Sequence, residues 1–283
     1  MTTILDGKKT AKAADEEFAQ RIKQLKKQGI TPGLAVILVG DDPASKTYIR
    51  IKKRRAEKIG INYQLHNLPA DTSEADLLKL IEQLNRDPKI DGFFVQMPLP
   101  KQIDANNIIN AIDPKKDVDG FSPKNVGYLW IGEDGNVPAT PSGILHMLHK
   151  YNVQIDGKNA VVIGRSNIVG KPMAAMLLRE NATVTICHSH TKNLKEIAKQ
   201  ADILVVAMGK AKFVTKDFIK PGAVVIDVGM DRDENDKLCG DVDFDNVKDI
   251  AGMITPVPGG VGPMTITGLL GRVVELAEKR AKD

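Results

Sequence analysis

Cysteine is nearly absent from this sequence. Cys187 and Cys239 stand alone in 283 residues, too few for a disulfide framework, which points to a reducing compartment, the cytoplasm. Long apolar runs are lacking as well, since none approaches the roughly 20 residues that a membrane helix needs. The opening stretch, MTTILDGKKTAKAADEEF, carries acids and no apolar h-region, so no secretory signal is expected. Nor does one sign of charge dominate. The net charge of +4 is small and spread along the chain; it suits attraction of an anionic substrate but leaves no basic footprint for nucleic acid. No internal repeat or low-complexity stretch interrupts the text.

What is present alternates between helical and strand patterns, which argues for an α/β fold with mainly parallel strands. The spacing predicts a helix over residues 8–27, a buried strand LAVILV (34–39) and a helix over 43–58 closed by Gly60. A strand INYQLHNL, a helix near 73–84 and a strand GFFVQ (92–96) follow. From Met97 to about Asn136 the text reads as loop, and so long a structureless segment in a compact protein is often functional. A second α/β unit begins near Pro141: a helix GILHMLHKY, strands NAVVI, ATVTICHS, ADILVVAM and AVVIDV, a helix GKPMAAMLLRE, then GMITPV, PGGVGPMT and a closing helix. The expected division is a first domain over 1–140, with the last helix (about 264–283) packing back on it, and a second over 141–263.

The stretch GRSNIVGKP (164–172) follows the apolar strand NAVVI and is built to hold a phosphate. It lacks the NTPase signature twice over. Five residues separate Gly164 from Gly170 where that signature has four, and Pro172 stands where a magnesium-binding hydroxyl is required. Buried strand, glycine turn and helix N-terminus instead fit a dinucleotide site, although the strict GxGxxG is missing. An acid is missing too. NAD-preferring folds usually end their second strand with Asp or Glu for the ribose hydroxyls, whereas ATVTIC here runs into HSHT. With Arg165 beside the loop and Ser189 as a hydroxyl donor, the cofactor reads as NADP. CHSH (187–190) has no second ligand cluster to complete a metal site, so no metal is expected.

In the first half, Tyr48 and Lys52 lie four apart on a helix and share one face; spacing alone leaves function and a stacked surface pair equally open. Arg50, Lys53, Arg54 and Arg55 read as a solvated face. QMPLP ends a buried strand at Gln96, where open α/β sheets place ligands. KKDVDGF offers Asp117 and Asp119 in a glycine turn, a place where one Asp commonly caps the turn. The glycines of TPVPGGVGPMT (255–265) allow close approach of the backbone to a ligand.

Taken together, GDDPASKTYIRIKK, VQMPLP, DPKKDVDGF, GRSNIVGKP and TPVPGGVGPMT, in this order and spacing, resemble the short, bacterial-type form of the bifunctional methylenetetrahydrofolate dehydrogenase/methenyltetrahydrofolate cyclohydrolase family. The resemblance spans nearly the whole chain. It implies two α/β domains, the second a Rossmann-like NADP-binding domain, with folate in a cleft between them. It also implies a homodimer acting on tetrahydrofolate substrates with or without a polyglutamyl tail. Tyr48 matches the tyrosine that stacks on folate, Lys52 the cyclohydrolase lysine, Gln96 its hydrogen-bond partner and Asp119 the carboxylate that reads the pterin amino edge. Pro258, Gly259 and Gly260 match the glycine turn lining the folate site. For NADP the implied positions are Gly164, Arg165, Ser166, Ile168, Gly170, His188, Ser189, Val228, Gly229 and Thr265. His190 departs from the usual pattern and raises the question of a pH-dependent cation near the phosphate. Two rivals remain at this point: an NADP dehydrogenase of another small acid on a shikimate-dehydrogenase-like plan, and a nucleotide-sensing regulator without turnover. Neither explains Tyr48, Lys52, Gln96 and PGGVGPMT together.

Overall fold

The computed structural model describes residues 2–282. In chain order the elements are β1 (Thr3–Ile4), α1 (Gly7–Lys27), β2 (Gly33–Val39), α2 (Pro43–Ile59), β3 (Asn62–Leu68), α3 (Glu74–Arg86), β4 (Gly92–Val95), α4 (Ala105–Ala111) and α5 (Pro123–Ile131). Then come α6 (Ala139–Lys150), β5 (Asn159–Ile163), α7 (Gly170–Arg179), β6 (Thr183–Cys187), α8 (Leu194–Ala198), β7 (Ile203–Val206) and β8 (Val224–Asp227). The chain closes with β9 (Asp231–Arg232), β10 (Leu238–Cys239), α9 (Phe244–Val247), β11 (Met253–Ile254) and α10 (Val261–Arg280). It divides into two compact units. One holds Ala13–Ala139 with the residues from Leu269 on, the other the residues up to Lys12 with Thr140–Gly268. The division falls inside α1 and α10, so each of these helices contributes to both units.

The Ala13–Ala139 unit is organised on a three-stranded parallel sheet in the order β3-β2-β4. Its middle strand, β2, is buried along its whole length, as a β-branched run covered on both faces should be. Ile37 pairs in register with Val95 and His66. Ala35, Ile37 and Val39 form a core with Leu77 and Ile81 of α3 and Phe93 of β4, each large side chain contributing about 1.5–3 kcal/mol by leaving water. α2 starts at a capping Asp42 that accepts from Ser45 N and ends at Gly60, whose φ of 101° closes it.

The segment from Met97 to Asn136 is not a continuous loop. It contains α4, which buries Ile108 and is capped by Asp104, and α5, which starts on Ser122 with Pro123 in its first turn. ANNIINA is too short and too polar for a helical period to show, and the burial of Ile108 in the sheet's core decides the matter. A second difference concerns Arg55. It is not on a solvated face but pairs with Asp15 of α1, with N–O separations of 2.6 and 3.2 Å.

Asp91 ties the end of this chain to the sheet. Its buried carboxylate accepts from Gly33 N at 2.7 Å and from Arg280 Nε and Nη2 at 2.6 and 3.0 Å. Removing it leaves the Gly33 amide without its acceptor and Arg280 with Thr31 O, at 3.3 Å, in place of a carboxylate. Asp91→Ala is expected to lower stability by about 2–4 kcal/mol, somewhat less than the roughly 3–5 of a fully buried pair because water still reaches Arg280. The shift of the urea midpoint measures it.

The second unit carries six parallel strands in the order β1-β11-β8-β7-β5-β6. Val161, Ile163, Leu204, Val206, Val225 and Cys187 fill one core on this sheet. β9 and β10 form a separate antiparallel pair.

Candidate active site

α2 presents a buried stripe of Ser45, Ile49, Lys52, Ala56 and Ile59. The spacing of three and four residues is that of a core-facing helix, and Lys52 occupies one of its apolar positions. Burial pushes the Lys52 amine below the ordinary lysine range; the charge of Asp119 opposes this but is the weaker effect. The amine donates to Gln96 Oε1 at 3.3 Å, lies 4.1 Å from the centroid of the Phe94 ring and 5.7 Å from that of Tyr48. Gln96 is fixed at its other end, where Nε2 donates to Met97 O at 2.9 Å. The structure thus brings Tyr48, Lys52 and Gln96 together, with Asp119 near enough for its charge to be felt.

The two acids of KKDVDGF part company. Asp117 is wholly engaged in the turn, accepting from Gly120 N, Ser122 N and Asn125 Nδ2 at 2.9, 2.8 and 3.0 Å. Asp119 has no hydrogen-bond partner among the described residues and borders an apolar pocket lined by Phe94, Met97, Ile108 and Phe121. Burial, helped by the charge of Asp117 and resisted by Lys52, pushes its carboxyl up to about 6. Phe94 was not among the expected site residues. Its signal was available, because residues i and i+2 of a strand share a face and Gln96 stands two positions on.

Pro258, Gly259 and Gly260 lie in the other unit, in the turn between β11 and α10. Gly260 N donates to Pro256 O at 2.8 Å and Gly259 O accepts from Lys8 N at 3.1 Å. Thr265, in the first turns of α10, shares a hydrogen bond of 3.0 Å with Thr140.

The loop after β5 is as tight as a phosphate cradle requires. Gly164 has φ of 136°, and a Cβ there would stand 2.2 Å from Ala207 O; a Cβ on Gly170 would stand 2.2 Å from Gly164 O. Ser166 Oγ accepts from Val169 N and Gly170 N at 3.1 and 3.2 Å, which braces the loop into α7 and leaves the hydroxyl proton free to donate. Ile163 pairs with Cys187 across β5 and β6, so Arg165 and Ser189 each follow that pair by two residues at neighbouring strand ends. Arg165, Ile168 and Ser189 are exposed, and the Arg165 side chain makes no hydrogen bond or ion pair among the described residues. His188 N donates to Thr191 Oγ1 at 2.8 Å, and His188 Nδ1 accepts from His190 N at 3.2 Å. Val228 and Gly229 follow β8. No acid stands at the end of β6, and a free guanidinium, a hydroxyl and a helix N-terminus beside side-chain-free glycines fit a phosphorylated dinucleotide.

The family model for the tetrahydrofolate dehydrogenase/cyclohydrolase catalytic domain matches residues 5–119, and that for the NAD(P)-binding domain of the same family matches residues 138–281. The chain belongs to this family. A bifunctional FolD protein from Listeria innocua is 60% identical over 99% of this chain and 98% of its own. The solved bifunctional FolD enzyme of Campylobacter jejuni is 46% identical, with a TM-score of 0.96 over 99% of this chain and 100% of its own. The FolD of Trypanosoma brucei, solved with NADP cofactor and an inhibitor, is 36% identical with a TM-score of 0.93 over 100% of this chain and 99% of its own. Similarity of this extent sets aside the dehydrogenase of another small acid and the regulator without turnover. As a member of the tetrahydrofolate dehydrogenase/cyclohydrolase family the chain is an enzyme with both activities. No helix among the described residues is long and apolar enough to cross a membrane.

Proposed function

We propose that the chain oxidises 5,10-methylenetetrahydrofolate to the 5,10-methenyl cation with NADP and hydrolyses that cation to 10-formyltetrahydrofolate, with Lys52 as the base of the second step. The observation that carries the reading is a buried lysine whose side-chain hydrogen-bond partner among the described residues, Gln96, is neutral. An ordinary lysine, with a pKa of roughly 10.4, is protonated at neutral pH and cannot accept a proton. Burial moves Lys52 towards the neutral amine, and a cationic substrate beside it moves it further. Gln96 orients the amine without restoring its charge, which a carboxylate in that place would do.

Bound NADP would supply the acceptor for the hydride of the one-carbon bridge. The chain's part in that step is placement: Tyr48 stacks on the folate, Asp119 accepts from the amino edge of the pterin, and Pro258, Gly259 and Gly260 line the substrate. Arg165, Ser166 and Ser189 would hold the phosphates of the dinucleotide, with Gly164, Ile168, Gly170, His188, Val228, Gly229 and Thr265 completing its site. In the hydrolysis Lys52 takes one proton from the attacking water as oxygen bonds to the cationic carbon, and the water's second proton passes to the ring nitrogen released when a carbon–nitrogen bond of the bridge opens and the formyl C=O forms. The enzyme is proposed to work in the cytoplasm, consistent with its two unpaired thiols. A homodimer and acceptance of polyglutamyl tails are supported by the family resemblance.

A spectrophotometric assay with methylenetetrahydrofolate and NADP, run beside NAD, tests the reading; equal turnover of the two dinucleotides overturns the NADP assignment. Asp119 supplies a pH test. Its carboxyl titrates at about 6, so above that pH it is an acceptor on both oxygens, and below it a proton occupies one of them. The Michaelis constant for folate is expected to rise as pH falls through about 6 and to level off above it. Asp119→Asn should flatten that profile. A wild-type constant that stays level through this range argues against the role.

A further inference from the structure

In the sheet order β8-β7-β5-β6, the chain leaves β5 on one side to make β6 and returns on the other to make β7. Such a reversal opens a crevice beyond the carboxyl ends of the two inner strands, where ligands of parallel sheets settle. One wall is the Gly164–Gly170 loop after β5. The other is the segment Ala207–Lys210 after β7, which Gly164 lets approach so closely that a Cβ would stand 2.2 Å from Ala207 O.

The second wall is held by a residue thirty or so positions downstream. Asp241 has no exposed surface, and its Oδ2 and Oδ1 accept from Met208 N at 2.8 Å and Lys210 N at 2.5 Å. Asp241 is itself set by another acid. Its own N–H donates to Asp227 Oδ1 at 3.0 Å, and Val242 N donates to Asp227 Oδ2 at 2.9 Å. Asp227, at the end of β8, also accepts from Gly229 N at 2.9 Å, and Thr255 Oγ1 accepts from Asp227 N at 2.8 Å. A Cβ on Gly229 would stand 2.3 Å from Asp241 N. Position therefore passes from the end of β8 to Asp241, and from Asp241 to the wall after β7.

Both oxygens of Asp241 accept from backbone donors of the wall, and the side chain of Asp231 is a further partner. An asparagine would satisfy one of those amides and oppose the other, because its nitrogen is itself a donor. We propose that Asp241 is a positioning residue for the dinucleotide, fixing the backbone of Ala207–Lys210 as the second wall of the crevice. The proposal rests on the dinucleotide reading of this domain.

The cyclohydrolase step consumes no dinucleotide, so it separates positioning from general damage. Asp241→Asn is expected to raise the Michaelis constant for NADP about tenfold, the value of one lost hydrogen bond to a charged group. The Michaelis constant for folate, and the cyclohydrolase rate measured from the methenyl substrate, should change less than about twofold. Equal loss of both activities, or an unchanged NADP constant, overturns the proposal. Hydrogen exchange of the full wild-type chain provides a test that does not depend on a variant folding. The amides of Met208 and Lys210 should be protected without NADP and more so with it, and rapid exchange of both without NADP overturns the proposal. If the wild-type chain binds neither NADP nor NAD in a direct titration, the dinucleotide reading fails and the proposal fails with it. If wild type and Asp241→Asn bind NADP equally, the proposal alone fails.

Discussion

Lys52→Met is expected to abolish the cyclohydrolase while part of the dehydrogenase survives. Methionine is unbranched and of similar length, so it fills the place of Lys52 in the stripe with Ser45, Ile49 and Ala56 without a cavity. It also removes a buried amine that burial already disfavours in its charged form, so no loss of stability should confuse the result. What disappears is the acceptor for the water's proton. Loss of a positioned general base costs about 10²–10⁴-fold, which brings the enzymatic rate down towards that of the cation in free solution. Hydride transfer needs no base, because the ring nitrogens of the substrate carry the developing charge. Its rate should fall only as far as the substrate shifts on losing the contact of the amine. The measurement is methenyl hydrolysis set against dehydrogenation in the same preparation. An equal fall in both, with folate affinity intact, contradicts the base role.

Arg165→Ala is expected to raise the Michaelis constant for NADP by about 10- to 100-fold, the range for a lost charge-assisted contact, with the constant for folate nearly unchanged. The side chain is exposed and has no polar partner among the described residues. The loop around it is braced instead by Ser166 Oγ and by the close approach of Gly164 to Ala207. Truncation should therefore leave the loop in place and remove only a cation. The constant for NAD, which has no 2′-phosphate, gives the internal control and should move far less. An unchanged NADP constant would falsify the role.

The residues that could be read in advance are those whose meaning is local. The stretch 34–39 announces a strand covered on both faces, and the four-residue step from Tyr48 to Lys52 announces a shared helix face. Gly164 and Gly170 bracket the turn that joins a buried strand to a helix N-terminus. Resemblance supplied the roles that spacing left open, above all those of Gln96 and Asp119. What stayed hidden depends on contacts distant in sequence. α4 exists because Ile108 finds a core made by β2, α3 and β4, and nothing within ANNIINA states that. Arg55 looks like its solvated neighbours until Asp15 arrives from α1. Asp117 and Asp119 are two residues apart and chemically identical, and only the folded turn shows which is consumed by backbone amides. Asp241 is the extreme case, since its partners at Met208 and Lys210 are joined to it by no pattern in the text.

The two cysteines, noted first for their scarcity, acquire a meaning from where the fold puts them. Both lie in the Thr140–Gly268 unit, Cys187 fully buried at the end of β6 and Cys239 nearly so on β10. Burial pushes both thiols above their ordinary range, and the thiol form reacts with neither disulfides nor electrophiles at a useful rate. A thiol reagent thus finds little to attack on either cysteine of the folded unit. Attack on them must wait for local opening, of the six-stranded sheet at Cys187 and of the β9–β10 pair at Cys239, which turns two inert sulfurs into separate clocks for those openings.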